Sequence, residues 1–129
     1  MENGQGAGRG WTWFFWVAAI FNFAIGAAGM FAAGPDIDAR IIGIFVFAFG
    51  IVYAVVAREP DRFATVLWAG VFGKVAIVAL LVSTGLGDLG GRSMAVVLSL
   101  DVLFAFGFLV FLLTRSDYGD ASAEASIAE

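Results

Sequence analysis

Cysteine and histidine are both absent from this chain of 129 residues, and lysine occurs once. Their absence excludes disulfides, a thiolate nucleophile, a histidine general base, His-ligated haem, Cys-ligated iron–sulfur clusters and the usual zinc ligand sets. Proline is scarce, at Pro35 and Pro60 only, and charged residues make up 14% of the chain. The formal net charge of −4 argues against nucleic acid as a partner, because binding it takes a basic face that displaces counterions from phosphates. Without His or Cys the sequence offers no recognisable nucleophile–base set, so the chain reads as non-enzymatic, with no cofactor and no metal expected.

What the chain has in excess is apolar surface. Hydrophobic residues account for 61% of it, including 14 Phe, more than a soluble domain of this length could bury. That surplus is organised as four runs, over residues 11–33, 38–57, 63–84 and 93–114. The first would span about 34 Å as a helix, enough to cross a hydrocarbon core of about 30 Å. It ends at Gly34-Pro35. The second opens on Asp36 or Asp38 as N-cap and stops at Arg58-Glu59-Pro60, and a turn from Gly85 to Arg92 separates the third from the fourth. Connections this short force consecutive spans to pack antiparallel. The expected fold is therefore all-α: an antiparallel up-down four-transmembrane-helix bundle over residues 11–115. It is flanked by a disordered N-terminal tail (1–10) and an acidic, disordered C-terminal tail (116–129).

An even number of spans puts both termini on one side. Arg9, Arg58, Arg62 and Arg115 fall on that side, against Arg40 and Arg92 opposite, so the positive-inside rule predicts cytoplasmic termini in a bacterial inner membrane. Trp11, Trp13 and Trp16 form an aromatic belt where the first span enters the interface, with Trp68 in the same leaflet. Arg40, Arg58 and Arg62 lie at headgroup level. Asp36 and Arg40, four residues apart, have the spacing of a surface pair.

The informative residues are the polar ones at depth. A Lys or Asp at the centre of a span costs roughly 2.5–3.5 kcal/mol on the insertion scale, so an unanswered Lys74 and Asp101 would cost about 5–7 kcal/mol together. Adjacent spans in a hairpin bring the two to similar depth, which predicts an interhelical ion pair, with Asn22 at the centre of the first span as its polar companion. The pair either fixes helix register or serves as a transport site. Tyr53 either donates into the core or reaches the interface. Small residues mark close helix packing: Gly26 and Gly29 on the first span, on the face of Ala18, Asn22 and Ala33; Gly43 and Gly50 on the second; Gly70 and Gly73 on the third.

The string Gly50-x-x-Tyr53-x-x-x-Ala57-Arg58-Glu59-Pro60, followed by Gly70-x-x-Gly73-Lys74 and then Asp101, resembles small uncharacterised bacterial four-span proteins and, more distantly, DoxX-like membrane proteins. The resemblance covers about residues 20–114 and implies a fold rather than an activity. Small multidrug-resistance transporters are similar in length and span count, but their pattern calls for a Glu in the first span where this chain has Asn22. That departure argues against a proton-coupled drug exporter.

The function expected from these residues is that of a small accessory or interaction subunit whose Lys–Asp pair sets helix register. Its surroundings would be the lipid bilayer and either a membrane-protein partner or further copies of itself. Two alternatives stay open: a small solute or proton-coupled carrier working through Lys74 and Asp101, and a quinone-linked or other membrane redox accessory.

Overall fold

The computed structural model describes residues 8–34, 36–84 and 91–128. Among them the backbone is helical almost throughout and contains no strand: α1 (Arg9–Met30), α2 (Ile37–Arg58), the single-turn α3 (Pro60–Phe63), a 3-10 turn (Ala64–Val66), α4 (Leu67–Thr84) and α5 (Gly91–Ala128). Four segments, Arg9–Met30, Ile37–Arg58, Pro60–Ser83 and Met94–Arg115, are long and apolar enough to cross a membrane, the signature of a multi-pass membrane protein. The all-α, four-span class expected from the sequence is what the structure shows.

The chain divides into two compact units, residues 1–66 and 67–129. In the first, α1 and α2 form an antiparallel hairpin whose backbones touch. A Cβ at Gly26 would fall 2.7 Å from the Phe47 Cα and 2.8 Å from the Gly43 carbonyl oxygen, and one at Gly43 would fall 2.5 Å from the Met30 nitrogen. Gly29 lies against Gly43 as well, where a Cβ would stand 3.0 Å from its Cα. Only hydrogen fits between helices at this separation, and in lipid such close approach supplies the van der Waals contact that holds helices together. Phe23 and Phe47 pack beside the glycines, with ring centroids 4.8 Å apart.

The connection between α1 and α2 is fastened by its own polar groups. Gly34 turns the chain at φ +118°, a conformation that a side chain would strain. The Asp36 carboxylate caps α2 by accepting from the Asp38 and Ala39 amides at 3.1 and 3.2 Å. Arg40 donates to the Ala32 and Gly34 carbonyls at 3.4 and 3.1 Å, two acceptors left over where α1 ends. The expected Asp36–Arg40 pair therefore does not form, since each group has a backbone partner closer to hand.

Several boundaries differ from the sequence reading. Helix α1 ends at Met30, so Ala33 lies beyond it, and it starts at Arg9, so Arg9 and Gly10 are helical rather than part of a disordered tail; residues 1–7 lie outside the described residues. Gly91 and Arg92 belong to α5 and not to the preceding turn, whose residues 85–90 are also outside them. The largest correction concerns the acidic tail, expected to be disordered: α5 continues without a break to Ala128. Acidity suggested disorder, but Ala121, Ala123, Ala125 and Ala128 are strong helix formers and no proline interrupts them. The 22-residue span accounts for about 33 Å of α5, and residues 116–128 extend it by about 20 Å.

In the second unit, the Lys74–Asp101 side-chain pair joins α4 to α5. The buried residues of α5, Leu98, Phe104, Ala105, Phe108, Phe111 and Leu112, recur at helical spacing on the face that also carries Asp101. Hydroxyls in these helices bond to carbonyls one turn back, Ser83 to Leu80 at 2.7 Å, Ser99 to Ala95 at 2.8 Å and Thr114 to Val110 at 2.9 Å. Each is thereby satisfied without water. Gly73, expected to pack a neighbouring helix, does not: a Cβ there would meet nothing within 4 Å.

These contacts rank the glycines. Gly26→Ala and Gly43→Ala should each destabilise the protein by about 1–3 kcal/mol, because backbone atoms cannot yield to a methyl group. Gly73→Ala should be neutral or stabilising by up to about 1 kcal/mol, through helix propensity alone. Unfolding titrations in mixed micelles test the order; equal losses at all three positions would contradict the assigned contacts.

Candidate functional site

Lys74 and Asp101 are placed by helix counting. Lys74 lies ten residues before the end of α4 at Thr84, and Asp101 lies ten residues after the start of α5 at Gly91. In an antiparallel hairpin equal offsets from the turn mean equal depth, about 15 Å from either helix end. Both residues also fall on the faces that the helices bury: Lys74 follows Leu67 and Gly70 at helical spacing, and Asp101 lies between Leu98 and Phe104.

The Lys74 ammonium donates a hydrogen bond to Asp101 Oδ1 within the ion pair. Their side chains are 8% and 15% exposed, so the pair is largely withdrawn from its surroundings. Lys74 Nζ also stands 5.8 Å from the centroid of the Phe104 ring, within reach of the ring's negative face. Phe104 is a member of the site that the sequence reading did not single out. Its i+3 spacing from Asp101 was the available signal, since i and i+3 share a helix face.

Beside the pair lies a groove of about 350 Å³ between α4 and α5, bordered by Lys74, Val75 and Val78 on one side and Val102, Ala105 and Phe106 on the other. Its walls are apolar, including the methylene stem of Lys74 that reaches it. A bound water needs two to four polar partners, and these walls supply almost none. On the groove side the pair is bordered by apolar side chains.

Asn22, expected to accompany the pair, belongs to the α1–α2 hairpin, where its side-chain amide donates to the Val46 carbonyl at 3.3 Å. It links α1 to α2 in the midst of their close approach. Tyr53 is 1% exposed, which selects the core over the interface, and its ring lies 6.0 Å from that of Phe49. Of the packing glycines, Gly26, Gly43 and Gly50 are buried in the first hairpin, Gly29 lies beside them, and Gly70 is buried on α4.

The interfacial residues stay at the periphery. Arg9 at the start of α1 and Arg58 at the end of α2 share one end of their hairpin, with Arg40 at the other. Arg62 pairs with Glu59 at 3.4 Å in an exposed i,i+3 bridge and lies over the Phe63 ring. Trp13, Trp16 and Trp68 are exposed, while Trp11 stacks on Phe15. No group of three or more His, Cys, Asp or Glu side chains is gathered for a metal among the described residues.

Removing one member of the ion pair should cost far more than removing both. Lys74→Met or Asp101→Leu leaves an unanswered charge and should destabilise the protein by about 3–5 kcal/mol, whereas the double variant should come out close to the parent. A double-mutant cycle of unfolding titrations measures the coupling, and additive losses would show that the charges do not depend on each other. Comparison with known protein families, with curated proteins and with solved structures finds no match for this chain.

Proposed function

We propose that this chain is a small non-enzymatic membrane protein of a bacterial inner membrane, acting as an accessory or interaction subunit, with both termini in the cytoplasm and Lys74–Asp101 setting the register of α4 against α5. The observation that carries the reading is the pair itself, withdrawn at mid-helix beside an apolar groove. A catalytic or transporting charge needs access to what it acts upon, and a register charge needs only its partner. The absence of Cys and His narrows the chemistry further.

A carrier is the second reading, favoured by one observation: the groove reaches Lys74. The apolar walls weigh against passage of ions or polar solutes along it. The proposed orientation is supported by Arg9 and Arg58, which share the end of their hairpin from which α1 starts.

Two experiments test the proposal. Lys74→Met/Asp101→Leu should still fold and should recover the same membrane partners, or the same homo-oligomer, from mild detergent as the parent chain. If the double variant folds but abolishes solute flux in reconstituted vesicles, the accessory reading is replaced by the carrier. For orientation, the natural chain holds no cysteine, so Ser126→Cys reports cleanly. A membrane-impermeant maleimide should label it only after the cytoplasmic face is opened, and labelling from outside intact cells would invert the topology.

A further inference from the structure

The two hairpins are held together by different physics, and only one of them has room to change. In α1–α2, Gly26, Gly29 and Gly43 bring backbone against backbone, Asn22 bonds to Val46, and Arg40 ties the start of α2 to the Ala32 and Gly34 carbonyls at the end of α1. Sliding or rolling one helix over the other would drive main-chain atoms into each other, and packed interfaces do not deform continuously. In α4–α5 the described contacts are between side chains, Gly73 faces open space, and the groove of about 350 Å³ adjoins the ion pair directly, because Lys74 belongs to both. An engineered cavity of about 150 Å³ already admits a benzene molecule, so the space beside the pair is enough for side chains to repack.

We infer that α4–α5 is the adjustable half of the protein and that Lys74–Asp101 is its latch: while the pair is intact the hairpin keeps one register, and loss of either charge lets α5 shift against α4 into the adjoining groove. The inference rests on the register role proposed for the pair and adds to it a direction and a space for movement. Phe104 assists by holding the ammonium on the Asp101 face of α5. Ala105 permits the travel, since it is the small residue on the α5 wall of the groove.

Nitroxide pairs in lipid nanodiscs read this directly in the full chain. Phe72→Cys/Leu103→Cys, both exposed, reports on α4–α5, and Val17→Cys/Val55→Cys, also exposed, reports on α1–α2. With the latch intact each pair should give one distance. Asp101→Asn should add a second population to the α4–α5 distance alone, the charge swap Lys74→Asp/Asp101→Lys should remove it, and Ala105→Leu on the Asp101→Asn background should remove it by filling the groove. Should Asp101→Asn not fold, Asp101→Glu keeps the charge on a longer arm and should displace the single α4–α5 distance without splitting it.

An unchanged α4–α5 distance in folded Asp101→Asn, or in Asp101→Glu where that variant stands in, overturns both the latch and the register role. A second population that survives Ala105→Leu overturns the latch and leaves the register role standing. Equal changes in both hairpins overturn the assignment of movement to α4–α5.

Discussion

Hydrocarbon offers no hydrogen-bond partner, so every polar group that enters a span has to be answered from within the chain, and the arrangement of this protein follows from how its few such groups are answered. Hydroxyls return to their own helix: Ser83, Ser99 and Thr114 each bond to a carbonyl one turn back. The Asn22 amide reaches the Val46 carbonyl across the first hairpin. Lys74 and Asp101 answer each other across the second. No buried side-chain nitrogen or oxygen among the described residues is left without a hydrogen-bond partner.

The same constraint explains why the hairpins differ. Apolar residues gain nothing by leaving lipid for protein, so helices associate through close van der Waals packing or through polar contacts. The α1–α2 hairpin relies mainly on the first, with glycines at Gly26 and Gly43 that admit no Cβ. The α4–α5 hairpin leans on the second, and its side-chain contacts leave a groove open beside the charges. A charged pair offsets the cost of its own burial only when its geometry is good, and here it brings the added attraction of the Phe104 ring.

Function is bounded by the same short inventory. Lys74 and Asp101 are engaged with each other, and the groove bordering Lys74 has apolar walls. Beyond the last span, α5 continues as an unbroken helix to Ala128.

By itself the sequence determined the class, the four spans and the depth of Lys74 and Asp101, because hydropathy and residue counts along a helix are local quantities that no neighbour alters. It also placed the α1–α2 glycines on one face each. Tertiary structure decided which of those faces meet: Gly26 and Gly43 touch a backbone while Gly73, identical in type and similar in pattern, faces open space. It likewise decided that Asn22 serves α2 and that Arg40 prefers two carbonyls to Asp36. The rotation of a helix about its axis and its distance from a neighbour depend on every contact made at once, and no spacing within one span encodes them.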